Sequence, residues 1–490
     1  MQHRDFIQSE GHNGRPTIQH VASVETSPLL GQEESLTLTE RSLYYKELKD
    51  LFFSSCTVTG GYLLQQSLQI SSIFIVGRLG PLELSVAAFS YMIASTTSWL
   101  LAIGGTTAID SLGSASIGRG DHVGEIGVLL QKYLISVTMM FIPVALLWTY
   151  SAAILLGFHL EPDIAYGTQT FLRTLLPFPL GYILFEALKK FLQCQNIRAP
   201  ATVILLITAI VNVPLNYLLV HVFEWGLIGG AIATGSMYWL SALLTLAYIY
   251  FVNGLAGWQG WSRASLQDLG QFSRTVLFGI VSIGAEWWAF ETISIAAGTM
   301  GNVEAAVQSV IMTTDTVMAL FPFGLGIATT NRVAILLGAG QLQRAKTVSR
   351  IASALAALNG CIVTIILLVF PSQITKFYTV DPDVLKVARV VFPWAAAFQV
   401  SDGLQCVNGG TLRALDRAGF AALINLVTYY ALALPLCLTL AFIAGQGLSG
   451  LWAGLALALT VCGGVEFLIV NVMDWKRLGF DEAKKEVEDD

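Results

Sequence analysis

Five carboxylic acids stand in stretches of sequence that are otherwise apolar: Glu286, Glu291, Asp315, Asp402 and Glu466. A charge at the centre of a bilayer costs about 2.5–3.5 kcal/mol on insertion scales, so each acid is a functional candidate by default. A carboxyl in apolar surroundings is driven toward its neutral form. It can take a proton from an acidic side and release it when a cation or a wetter environment favours the anion. A proton and an organic cation competing for one carboxylate produce antiport without any further device. All five acids belong to the second half of the chain, and no Lys or Arg is expected at mid-span beside them. Such a set suits protons and cations, and is a poor cradle for phosphates, sugar nucleotides or carboxylates. In the first half, Asp110 and Glu186 are placed near helix ends, where water reaches them.

Glu286 and Asp402 lead this group. Glu286 lies about 12 residues into its span, or about 18 Å deep at 1.5 Å per residue, and Asp402 is comparably deep. Glu291 follows Glu286 by five residues, about 140° around a helix, so it faces elsewhere and need not share a proton. Asp315 and Glu466 read at least as readily as side chains bonded to Thr or backbone neighbours.

No catalytic machine accompanies the acids. The sequence has no G-x-x-x-x-G-K-[ST] segment, no H-E-x-x-H and no G-x-S-x-G, and four of its six histidines fall in the first 122 residues. No enzyme activity, cofactor or metal is expected. Cys56, Cys194, Cys361, Cys406, Cys437 and Cys462 lie in or beside apolar spans without a C-x-x-C pair, and read as packing residues. A formal charge of −6 over 490 residues implies no nucleic-acid partner.

The elements that must hold these acids are membrane helices. The chain is 54% hydrophobic and 12% charged, and a soluble chain carries about twice that charge. Its apolar stretches approach or exceed the roughly 20 residues that cross a bilayer as a helix. Twelve are read, near 50–76, 85–109, 127–156, 168–189, 200–222, 226–252, 274–298, 306–330, 349–370, 388–410, 420–444 and 448–473. Of the 27 Lys and Arg, 22 fall on the side of the termini, which places both termini in the cytosol by the positive-inside rule. The fold class is an all-α polytopic membrane protein.

The chain also matches itself at an offset near 220. Gly118-Arg119-Gly120 recurs as Gly338-Ala339-Gly340, Pro214 as Pro435, and Gly226-Leu227-x-Gly229 as Gly447-Leu448-x-Gly450. Two six-helix halves entering from the same side make a parallel repeat, an architecture of secondary transporters. The expected units are a disordered tail over 1–45, an N-lobe over 46–252, a linker over 253–273, a C-lobe over 274–475 and a tail over 476–490. In the first tail, Glu25-Thr26-Ser27-Pro28-Leu29-Leu30 resembles the acidic dileucine signal that clathrin-adaptor complexes read for vacuolar or lysosomal delivery. Replacing Leu29 and Leu30 with alanine should redirect a tagged protein to the cell surface; an unchanged location removes the signal from consideration.

The segment Glu286-Trp287-Trp288-Ala289-Phe290-Glu291 resembles the seventh-helix core of eukaryotic multidrug and toxic compound extrusion (MATE) transporters. The likeness continues at Pro322-Phe323-Gly324-Leu325-Gly326, Gly409-Gly410-Thr411-Leu412-Arg413, Tyr429-Tyr430 and Gly77-Arg78-Leu79-Gly80. The resemblance implies two six-helix lobes around a V-shaped cavity and export of organic cations or xenobiotics against protons. It implies critical carboxylates on helices 7 and 10, which map onto Glu286, Glu291 and Asp402. Helix 1 carries Gln65, Gln66 and Gln69 where bacterial members often have an acid, so a proton site in the N-lobe is not expected. Gln69, Trp287, Trp288, Phe290, Asp315, Tyr429 and Tyr430 are the candidate substrate-cavity residues, the aromatics among them able to stack on cations. The partners expected are a small organic cation or xenobiotic, protons and the lipid bilayer. Sodium coupling, and a lipid-linked oligosaccharide flippase with basic residues in its cavity, are the alternatives.

Overall fold

The computed structural model describes residues 28–120, 124–157, 161–253 and 257–475. The described residues are helical and contain no strand. Twelve long helices follow the twelve apolar stretches. We number them α1 Pro28–Val76, α2 Pro81–Arg119, α3 Glu125–Thr149, α4 in two segments (Pro162–Leu175 and Pro179–Cys194), α5 Ala199–Val222 and α6 Gly226–Val252. The second set is α7 Leu269–Gly298, α8 Asn302–Gly338, α9 Leu342–Val369, α10 Pro382–Ala414, α11 Ala418–Ile443 and α12 Gly447–Val472. The first helix is the least apolar of the set, because its inner half carries Gln65, Gln66, Gln69 and several serines. The two segments of α4 meet at 54° across Pro177 and Pro179, where missing N–H donors and ring clashes break a helix. Residues 28–45, expected to be without regular structure, belong instead to α1. Glu25 lies outside the described residues, as do the side chains of Leu29 and Leu30.

The two six-helix lobes meet through matched glycines. A β-carbon on Gly104 of α2 would lie 2.6 Å from the Ile280 Cα of α7, and one on Gly324 of α8 would strike Thr59 of α1. These glycines are 220 residues apart in sequence. A second pair at the same spacing closes the ends of α2 and α8: a β-carbon on Gly118 would run into the Ile335 carbonyl, and one on Gly338 into that of Ala115. Small residues permit this close approach, which is the main source of helix association where lipid removes the hydrophobic drive. Tyr62 stacks edge-on against Phe323 at 5.2 Å, and Thr59 Oγ1 donates to the Leu320 carbonyl at 3.2 Å. All these contacts gather at the end of the bundle where α1 enters and α12 leaves.

An ion-pair cluster reinforces that end. Glu47, which precedes the apolar part of α1 and is buried, accepts from Arg332 Nε at 2.8 Å, from Arg332 Nη2 at 2.6 Å and from Arg344 Nη2 at 2.6 Å. Burial pushes the Glu47 carboxyl up, but the two guanidinium groups more than offset it and hold the group below its ordinary value. Its contribution is therefore complete above the usual carboxylate range and is lost as pH falls through the lowered folded value. Glu47→Gln should cost about 1.5 kcal/mol at neutral pH, the low end for charged hydrogen bonds because both arginines are partly exposed. Thermal midpoints of the two proteins should converge on acidification; a gap that persists in acid contradicts the assignment.

Candidate functional site

Between the lobes lies a cavity of about 490 Å³. Its floor, at the end where the lobes touch, includes the buried residues Asp110, Lys190, Thr330, Gly409 and Glu466. Toward the opposite end it is bordered by the exposed Ala88 and Thr316 and by the half-buried Glu291. Two wide, π-type turns in α2 shape one wall. Ser95–Trp99 carries Ser95, Thr96 and Trp99 onto the cavity, and Ile109–Gly113 does the same for Asp110. Such turns insert one extra residue and re-aim the side chains that follow, frequently at functional sites.

The five acids singled out from sequence all border this one cavity: Glu286 and Glu291 from α7, Asp315 from α8, Asp402 from α10 and Glu466 from α12. Glu286 and Glu291 therefore reach the same space despite their offset around α7. Their surroundings differ: Glu286 stands among the charges of Asp315, Arg413, Asp402 and Glu466, whereas burial is what acts on Glu291. Asp402 faces the charges of Glu286 and Asp315. Asp315 accepts a hydrogen bond from Gln399 Nε2 at 2.8 Å rather than from a Thr or the backbone.

Gln69, Trp287 and Phe290 line the cavity with the acids. Trp288, Tyr429 and Tyr430 do not. Neighbouring residues on a helix point about 100° apart, so two adjacent aromatics seldom face one space. Trp288 turns aside, and its indole donates to the Thr96 carbonyl of α2 at 2.9 Å. Tyr429 is fully buried behind the wall, where its hydroxyl accepts from Gln405 Nε2 at 3.2 Å. Tyr430 is 38% exposed and turned from the cavity.

The N-lobe departs most from expectation. Asp110 and Glu186 are not at wet helix ends; they are 2% and 0% exposed, and each is paired with a lysine that is buried as well. Lys190 Nζ lies 2.7 Å from Asp110 Oδ2, and Lys189 Nζ lies 2.6 Å from Glu186 Oε1. Gln65 Nε2 also donates to Glu186, at 2.8 Å, and Lys189 sits over the Tyr62 ring at 4.2 Å. Cations thus do enter the bundle, and Lys190 and Arg413 both border the cavity. A sequence signal existed: Glu186, Lys189 and Lys190 stand at i, i+3 and i+4 in an apolar helix, where they share a face. With its amide nitrogen toward Asp110, Asn331 of α8 donates to the Asp110 carbonyl at 3.2 Å and to Oδ1 at 3.0 Å, tying the two lobes at the floor. Among the described residues no His, Cys, Asp and Glu group of three or more is arranged to hold a metal ion.

Two consecutive stretches, residues 58–218 and 279–439, each match the MatE family profile, the second beginning 221 residues after the first. The chain belongs to the MatE family. An uncharacterized transporter of Schizosaccharomyces pombe is 34% identical over 90% of this chain and 83% of its own length. Protein DETOXIFICATION 17 of Arabidopsis thaliana is 30% identical over 94% of this chain and 96% of its own, and human multidrug and toxin extrusion protein 1 is 30% identical over 83% and 71%. The crystal structure of the eukaryotic MATE transporter AtDTX14 superposes with a TM-score of 0.85 at 27% identity, covering 90% of this chain and 99% of that one. The protein is thus a multi-pass membrane transporter with the MATE fold of two parallel six-helix lobes.

Proposed function

We propose that this transporter is a secondary antiporter that exchanges protons for organic cations by alternating access of the two lobes. The observation that carries the reading is the lining of its cavity: the carboxyls of Glu286, Glu291, Asp315 and Asp402, from three helices of one lobe, share a single space with aromatic side chains. Glu286 and Asp402, deep on α7 and α10, are the groups that hold the proton, with Glu291 and Asp315 nearer the rim. A cation entering from the contacting end displaces the proton, and a proton entering from the open end displaces the cation. Trp287 and Phe290 supply faces for the cation, worth about 0.5–2 kcal/mol each where desolvated.

The cavity's two cations support this reading over a flippase. Lys190 is consumed by Asp110, and Arg413 stands among the carboxyls of Glu466, Glu286 and Asp110, a surrounding that repels a phosphate. The membrane that fits the dileucine resemblance is vacuolar or lysosomal, with the plasma membrane as alternative, both termini in the cytosol and a clathrin-adaptor complex as a further partner.

The purified protein in proteoliposomes should move a fluorescent organic cation when a proton gradient is imposed. Transport that persists under a sodium gradient, with the proton gradient collapsed, overturns the coupling ion. Transport only of anionic or lipid-linked substrates overturns the substrate class.

A further inference from the structure

Glu466 stands apart from the other acids of the cavity. It is fully buried six residues before the end of α12, toward the closed floor, and its carboxyl makes no well-formed hydrogen bond, the backbone of Gly409 being its one marginal contact. Asp315 and Asp110 in the same cavity are each bonded. A buried carboxyl so weakly bonded is costly, and more so when charged, so this group calls for a stronger partner in another state. Arg413 is placed to be that partner. A β-carbon on Gly409 would lie 3.3 Å from Glu466 Oε2 and 3.4 Å from Arg413 Nη1. The glycine therefore leaves one space that both side chains border, yet no ion pair joins them in this conformation. The guanidinium acts at longer range on Glu466, Glu286 and Asp110.

We propose that Glu466 and Arg413 form a two-position proton switch in the cavity floor, an inference that rests on the proton-antiport reading. While Glu466 holds a proton, the guanidinium stays free to offset Glu286. When the lobes part at the floor, the acid O–H bond breaks and the proton passes to water entering there. The carboxylate then draws the guanidinium, itself still protonated, into the space over Gly409. Positive charge leaves the side of Glu286, which holds its own proton or cation more tightly as a result. The other titratable groups around Glu466 are Glu286 on α7, Cys406 on α10 and Cys462 on α12, and Arg413 is the cation that acts on it. The like charge of Glu286 works against a Glu466 anion until Arg413 arrives, which makes the proton and the guanidinium alternatives at one carboxyl.

The test uses the full chain in proteoliposomes with tetraethylammonium as probe. Exchange of labelled for unlabelled probe at equal pH reports binding and lobe movement; uptake under an imposed proton gradient reports coupling. Glu466→Gln keeps the size of the neutral acid and cannot ionise. It should leave exchange within about twofold of wild type and reduce gradient-driven uptake about tenfold or more. Gly409→Ala, which fills the shared space, should show the same split. Infrared difference spectra supply a readout independent of transport. The difference between wild-type and Glu466→Gln spectra should contain a protonated-carboxyl component that titrates with pH, and Glu286→Gln should retain that component. Unchanged coupling in Glu466→Gln overturns the switch. If the wild type shows no proton-driven uptake, the antiport reading fails, and the infrared component alone decides whether Glu466 exchanges a proton; wild-type and Glu466→Gln spectra that titrate identically overturn that too.

Discussion

Glu286→Gln should lower proton-driven cation transport by about a hundredfold or more, a loss in the range typical of a missing proton-transfer group, while membrane abundance stays near that of the wild type. Glutamine copies the size and hydrogen-bonding outline of the protonated acid, so the costs of insertion and packing scarcely change. What disappears is the ability to give up the proton to a cation. Asp402→Asn should behave alike, because Asp402 faces Glu286 across the same cavity and feels its charge. The two changes together should add little to either one alone, since residues of one site are not energetically independent. Uptake measured at matched protein content decides the matter. Full activity in Glu286→Gln sinks the mechanism while leaving the family assignment intact, and strictly additive losses place the two acids on separate tasks.

The legibility of this site in the sequence follows from how each residue reveals itself. Glu286 and Asp402 are conspicuous because a charge in an apolar run has a cost visible without coordinates. The repeat is visible because glycines at helix contacts tolerate no side chain, so Gly118 and Gly338 stand 220 residues apart in equivalent places. The Asp110–Lys190 pair was hidden for the opposite reason. Each of its members lies near a helix end in sequence, and only the packing of α2 against α4 shows that those ends are dry. The aromatics were half legible: a helix carrying Trp287 and Trp288 in succession announces a site, but the 100° step between them is resolved only by the neighbour that takes Trp288, here the Thr96 carbonyl. Glu466 was visible as an intramembrane acid, whereas its lack of a well-formed hydrogen bond is a property of the packed helices.

Lys190→Met should be among the most destabilising single changes in the N-lobe. It leaves Asp110 buried at 2% exposure with its nearest cation gone, and removing one partner of a buried pair typically costs about 3–5 kcal/mol. The amide of Asn331 cannot replace a full charge, and Lys189 is already held by Glu186 and Gln65. Asp110→Asn combined with Lys190→Met removes the stranded charge as well, and a neutral pair of similar volume is often as stable as the ions it replaces. The double variant should therefore recover most of the loss in the thermal midpoint of the purified protein in detergent. Its transport should remain impaired, because the pair borders the cavity floor at the point where Asn331 ties the lobes together. A Lys190→Met protein as stable as the wild type would mean that Asp110 is neutral in the resting transporter. A double variant no better than the single would trace the loss to the packing of the lysine stem rather than to charge.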